Sequence, residues 1–180
     1  IFTLPITINN FLLNFKTKKK NHKIKTICVG NIYIGGTGKT PLVIRLYKIF
    51  KKQGLKVAVG KKFYKSQLDE ISLLESETLL ITGTSRNKII DKTLIEKKDL
   101  LIFDDGLQDK NISYDIKLVC FDLDLFVGNG QLIPAGPLRE KLSSIRKYDA
   151  VFLKGESDNF KKFQQLLKNY NPNIQIFKTY

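Results

Sequence analysis

Lys39 and Thr40 carry the most specific chemical signal in the chain. They close the string Gly35-Gly36-Thr37-Gly38-Lys39-Thr40, which follows an apolar run, Thr26 to Ile32, and precedes a helical pattern, Pro41 to Phe50. Strand, glycine loop and helix in that order are the context of a phosphate-binding loop. Glycines let successive backbone N–H groups converge on an anion, and the new helix adds the positive end of its dipole. Lys39 would reach the β- and γ-phosphates of a nucleotide, and the Thr40 hydroxyl would ligate Mg²⁺. The usual spacing puts a further glycine where this chain has Tyr33. A plain strand-to-helix turn with Lys39 in solvent is the alternative.

A second signal lies 64 residues after Thr40. The apolar run Asp99 to Phe103 ends in Asp104-Asp105-Gly106. A carboxylate at the C-terminal end of a buried strand lies at the ligand edge of an α/β sheet. In a phosphate-loop protein that carboxylate holds Mg²⁺. Two aspartates in an ordinary turn are the competing reading. Asp69 and Glu70 are the first acids in the chain and fall at the start of a short helical pattern. Cys28 and Cys120 each sit inside an expected core strand and read as buried hydrophobes with no disulfide partner. His22, the single histidine, lies in a lysine run and has no companion ligands.

Alternating strands and helices position these groups. After the loop helix, Gly54 ends the helix and Lys56 to Gly60 reads as a strand, followed by a polar connection, Lys61 to Gln67. Further strands are expected at 78–82, 99–103, 116–121, 150–154 and 174–178, with helices at 85–98 and 159–170. Residues 126–140, FVGNGQLIPAGPLRE, form a loop too long for a mere connection. The expected fold class is α/β, a P-loop NTPase-like, mostly parallel sheet sandwiched by helices.

The chain has 180 residues and a net charge of +14. Residues 1–68 hold 15 Lys or Arg and no acid, whereas residues 69–180 are nearly neutral. A basic third of this kind suits an anionic partner, although 27 of the 31 basic residues are lysine, which also fits a chain-wide bias. Residues 1–15 are apolar but too short to span a bilayer, and a cluster from Lys16 to Lys25 follows. Such a pair suits an interfacial contact with an anionic membrane, and a helix packed on the domain is the alternative. A nucleic-acid-binding module would need aromatics interleaved on the basic face, and few lie near Lys16 to Lys25. A GTPase or metallochaperone-type switch is a further reading. Its guanine motif is matched only by Asn87-Lys88-Ile89-Ile90-Asp91, with the wrong spacing. Ile1 and the unfinished strand at the end suggest a piece of a longer protein.

With these residues in view, the chain resembles the lipid A 4′-kinases (tetraacyldisaccharide 4′-kinases). The resemblance rests on VGNIYIGGTGKTP (29–41), DDGLQ (104–108), GNGQLIPAGPLRE (128–140) and YDAVFLKG (148–155). It implies transfer of the γ-phosphoryl of ATP, with Mg²⁺, to the 4′-hydroxyl of an acylated glucosamine disaccharide 1-phosphate at the cytoplasmic face of the bacterial inner membrane. By position, Tyr33, Ile34, Gly35, Gly36, Thr37, Gly38, Lys39 and Thr40 would hold the triphosphate, and Thr40 and Asp104 the metal. Asp69 matches the Asp of the family's Gly-Asp-Glu motif and would be the base for the sugar hydroxyl. Asp105, Gln108, Arg86, Arg139 and Glu140 would face substrate. The implied organisation is a membrane-contact segment at 1–25, a kinase core at 26–157, and a helix and strand at 158–180 leading to a second domain. Two departures stand out. The family's Ser-Arg-Gly-Tyr after the second strand is replaced around Gly60-Lys61-Lys62-Phe63-Tyr64, and Asp109 stands where the family often has His.

Overall fold

The structure, a computed structural model, describes residues 24–156 and 158–179. The expected membrane-contact segment therefore lies almost wholly outside the described residues. Seven strands form one sheet: β1 (Lys25–Gly30), β2 (Val57–Lys62), β3 (Leu80–Gly83), β4 (Leu100–Asp104), β5 (Ile116–Asp122), β6 (Ala150–Lys154) and β7 (Gln175–Thr179). Their order is β3-β2-β4-β1-β5-β6-β7, and every neighbouring pair is parallel. Four helices connect them: α1 (Lys39–Lys52), α2 (Leu68–Glu77), α3 (Arg86–Ile95) and α4 (Phe160–Tyr170).

A parallel sheet needs both faces covered, and the strands show it as nearly unbroken apolar runs. Alternate residues still divide between the two faces. Ile27 and Val29, Val57 and Val59, and Leu100 and Ile102 pack in one core with Leu42, Leu46 and Phe50 of α1. The residues between them, Cys28, Ala58, Leu101 and Phe103, pack on the other face with Ile89 and Ile90 of α3. A third cluster joins Val119, Phe121, Val151 and Leu153 to Phe163 and Leu167 of α4. The two cysteines are buried, as their place in the strands implied.

Helix α1 begins directly after Gly38, whose φ of 76° is a left-handed conformation suited to glycine. Its first turn has no acidic side chain and no side-chain cap. The amides that every helix leaves unpaired at its start are therefore not satisfied by a side-chain cap. Expected and observed elements agree within a few residues at their ends, with one difference that matters. Strand β2 continues through Lys61 and Lys62, the start of what the sequence presented as a polar connection.

Candidate active site

The strand order sets the place of the site. From β1 the chain turns to one side for β2, β3 and β4, then to the other for β5, β6 and β7. Ligands of open α/β sheets bind beyond the carboxyl ends of the strands at such a reversal. The glycine loop follows β1, Asp104 ends the neighbouring β4, and Lys61 lies near the end of β2 beside β4.

The loop is shaped by its glycines and by its neighbours. Gly35 (φ 130°) and Gly38 (φ 76°) have positive φ. A Cβ on Gly36 would meet nothing within 4 Å, so that position borders open space. Tyr33 replaces the expected glycine without strain, because its φ is not positive. The chain there is extended against residues 137–139: the Ile34 amide donates to the Pro137 carbonyl at 2.8 Å, and the Arg139 amide to the Ile32 carbonyl at 2.7 Å. Asn31, fully buried, donates from its side chain to the Gly35 carbonyl at 3.3 Å.

Beneath the loop, side chains from two other elements converge on one carboxylate. Asp104 is 1% exposed. Its Oδ2 accepts from the Thr40 hydroxyl at 3.2 Å and from the Lys61 ammonium at 2.8 Å. Lys61 also donates to Glu70 Oε2 at 2.7 Å. Burial raises the pKa of the Asp104 carboxyl, and Lys61 offsets only part of that rise. For Lys61, burial works against the charge, yet Asp104 and Glu70 outweigh it and hold the pKa above the ordinary lysine value. The second oxygen, Oδ1, is buried and has no hydrogen-bond partner. An orphaned acceptor of this kind costs about 1–3 kcal/mol unless a ligand or ion meets it.

A second layer braces the Asp104-Asp105-Gly106 turn. Asp105 (φ 68°) and Gly106 (φ 141°) both have positive φ. Arg86, at the start of α3, donates to the Asp105 carbonyl at 3.0 Å and pairs with Asp109 at 2.8 Å. A Cβ on Gly106 would lie 2.4 Å from Arg86 Nε and 2.7 Å from the Tyr114 hydroxyl oxygen, so the glycine is required there. The Asp105 carboxylate lies 3.5 Å from the Arg139 guanidinium. Glu140 accepts from Gln108 at 2.9 Å and from the Tyr148 hydroxyl at 3.0 Å. Gln108 also donates to the Asn31 carbonyl at 2.9 Å, so the second layer is tied to the loop.

The residues singled out in the sequence are thus brought together at one edge of the sheet. Gly35 to Thr40, Asp104, Asp105, Gln108, Arg139 and Glu140 form a contiguous set. Arg86 stands behind the aspartate turn with its side chain 10% exposed, holding that turn through the Asp105 carbonyl. Asp69 is exposed on the first turn of α2, one residue before Glu70. Sequence reasoning missed Lys61, Glu70 and Tyr114, and it did not foresee that Asp109 would be the partner of Arg86. Glu70 adjoins Asp69, and Asp109 adjoins Gln108, both already marked in the sequence.

The model of the tetraacyldisaccharide-1-P 4′-kinase family matches residues 1–78 and 65–179. The chain belongs to the tetraacyldisaccharide 4′-kinase family. It is 44% identical over 161 residues to the tetraacyldisaccharide 4′-kinase of Pelagibacter ubique, covering 89% of this chain and 51% of that protein. It is 34% identical over 175 residues to that of Shewanella sediminis, covering 86% and 52%. The chain spans about half the length of these curated relatives. Among solved structures it is similar to LpxK from Aquifex aeolicus, crystallised in complex with ATP, with a TM-score of 0.69 at 23% identity, covering 98% of this chain and 60% of that one. The hydrogenase maturation factor HypB of Archaeoglobus fulgidus aligns with a TM-score of 0.57 at 14% identity, covering 96% and 86%. These two structural likenesses show the P-loop NTPase fold, as the strand order does.

Proposed function

We propose that this chain is the nucleotide-binding half of a tetraacyldisaccharide 4′-kinase. In this reading it holds ATP and Mg²⁺ and transfers the γ-phosphoryl to the 4′-hydroxyl of an acylated glucosamine disaccharide 1-phosphate. The observation that carries the reading is the orphaned Oδ1 of Asp104 beneath the Lys39 loop, with the Thr40 hydroxyl on the other carboxylate oxygen. Among the described residues no cluster of three or more His, Cys, Asp or Glu could hold a metal by itself. One carboxylate, one hydroxyl and the phosphates of a bound nucleotide are the donor set that Mg²⁺ favours. When bound, the ion would neutralise charge on the β- and γ-phosphates.

The chain's own groups supply the rest. Amides of the Gly35–Lys39 loop and the uncapped start of α1 bind the triphosphate, and Lys39 adds a point charge there. The acceptor oxygen attacks the γ-phosphorus in line, the bond to the bridging oxygen breaks, and the hydroxyl proton passes to a base. Asp69, exposed on the first turn of α2, is the base implied by the family's Gly-Asp-Glu motif. Little bond-making precedes the loose transition state, so alignment of the sugar contributes as much as basicity. Arg139 is the guanidinium at the mouth of the site, 33% exposed, and suits a substrate phosphate. Gln108 has both amide hydrogens engaged within the protein, which makes it a brace for Glu140 and Asn31.

Apolar groups exposed near the same edge support an acylated acceptor. Ile34 (48%), Phe63 (46%), Leu68 (53%) and Ile133 (49%) all lie in segments that follow the carboxyl ends of β1, β2 and β5. Exposed apolar groups gathered at one edge mark lipid or protein contact. No helix among the described residues is long and apolar enough to cross a membrane. Contact with the cytoplasmic face of the inner membrane through the apolar and basic N-terminal segment completes the proposal. The test uses the full-length protein with ATP, Mg²⁺ and a lipid A disaccharide monophosphate. Lys39→Ala, Asp69→Ala and Asp104→Ala should each lose nearly all transfer. Normal phosphorylation by Asp69→Ala would remove its role as base.

A further inference from the structure

Lys61 is 2% exposed and bonds two carboxylates from different elements, Asp104 at the end of β4 and Glu70 on the first turn of α2. Its ammonium lies 2.8 Å from the oxygen of Asp104 that also accepts from Thr40, the two residues assigned to Mg²⁺ above. The carboxylate proposed to hold the metal is therefore already paired, through Oδ2, with a cation that belongs to the protein, while its Oδ1 has no partner. Asp104, Glu70 and Lys61 together carry a net charge of −1. Without the ammonium the two carboxylates would carry −2, and a divalent ion in water would find a readier site at Asp104.

We propose that Lys61 is a positioning residue that acts as the resident counter-cation of the metal site. It holds Asp104 and Glu70 together before nucleotide arrives and excludes free divalent cations from Asp104. The triphosphate brings its own oxygen ligands for the metal and a new anionic partner for the displaced ammonium. Metal and nucleotide consequently enter together, and Lys61 lets go of Asp104 as they do. Glu70 adjoins Asp69, so the Lys61–Glu70 pair also anchors the turn that carries the residue proposed as base. This inference rests on the Thr40–Asp104 metal reading but not on the identity of the phosphoryl acceptor.

The test measures Mn²⁺ binding to the full-length protein by the loss of the free-ion paramagnetic resonance signal, with and without a non-hydrolysable ATP analogue. Wild type should bind one Mn²⁺ tightly only with the analogue present. Lys61→Met keeps most of the length of the side chain and removes its charge. It should bind one Mn²⁺ without nucleotide at least about tenfold more tightly than wild type, because one more unit of negative charge faces the ion at close range. That gain should vanish in Lys61→Met/Asp104→Asn and be absent in Lys61→Arg. The melting temperature of Lys61→Met should fall in chelator and recover with Mn²⁺, and a variant that folds only when Mn²⁺ is supplied supports the same conclusion. A folded Lys61→Met that binds Mn²⁺ no better than wild type overturns the role of Lys61, as does one that Mn²⁺ cannot rescue. Wild type that binds no Mn²⁺ even with the analogue would instead overturn the metal reading on which it rests.

Discussion

Removing the carboxylate of Asp104 should destabilise the protein as well as silence it, which is the opposite of what loss of an active-site charge often does. Catalytic groups commonly sit in strained electrostatic surroundings, and their deletion tends to stabilise the fold. Here the side chain of Asp104 is wholly buried and meets the ammonium of Lys61, itself 2% exposed. Asp104→Ala leaves that ammonium with Glu70 alone, whose side chain is 47% exposed. Breaking a buried pair from one side costs about 3–5 kcal/mol. Glu70 remains as a partial partner and water can reach it, so the cost falls to or somewhat below the bottom of that range, about 2–3 kcal/mol. For a domain of this size that corresponds to a fall of roughly 4–12 °C in melting temperature. The assay is calorimetric melting of the full-length protein in chelator without nucleotide. Asp104→Leu combined with Lys61→Met should melt well above Asp104→Ala, since an apolar replacement of both partners leaves no charge stranded. Asp104→Ala melting at or above wild type would refute the reasoning, as would a double variant no better than the single one.

Further outcomes follow from the second layer and the core. Gly106→Ala forces a side chain onto φ 141° and into Arg86 and Tyr114, so it should cost about 1–3 kcal/mol and most of the activity, read by melting and phosphoryl transfer. Neither cysteine should react with iodoacetamide at pH 8 in the native protein, and both should react in urea. Burial pushes the Cys120 thiol up to about 12 and raises that of Cys28 well above its ordinary value. Burial alone would raise the pKa of Asp109, but the Asn111 amide and Arg86 together hold it below the ordinary 3.8. A depressed carboxylate contributes stability above its unfolded pKa and loses it as pH falls through the folded value. The stability gap between wild type and Asp109→Asn, from urea titrations, should therefore close progressively below about pH 4.

Much of the fold was legible because a parallel sheet writes itself as apolar runs separated by helical spacing. Leu100 to Phe103 could hardly be anything else. The loop and the aspartate turn were legible for a related reason: each is a contiguous string whose shape resides in local backbone geometry. Lys61 was not legible. It stands beside Lys62 in a basic stretch of a lysine-rich chain, and its burial depends on Asp104, 43 residues away on an adjacent strand. The tolerance for Tyr33 was hidden in the same way, since it depends on residues 137–139 lying along the loop. The long segment at 126–140 announced itself by length and composition. That it supplies the wall of the phosphate loop is a long-range fact that periodicity does not contain. Arg86 showed the converse. Its type suggested a ligand contact, whereas its position behind the turn makes it a brace for Asp105.

A kinase of this kind requires the Lys39–Thr40–Asp104 site to pass a phosphoryl group to a sugar hydroxyl rather than to water. The most direct measurement supplies the full-length protein with γ-labelled ATP, Mg²⁺ and a lipid A disaccharide monophosphate, then locates the label by phosphorus NMR of the isolated lipid. The new phosphate is expected on the 4′-oxygen of the disaccharide, with none formed by Lys39→Ala. Label recovered only as inorganic phosphate, at a rate indifferent to the lipid, would contradict it.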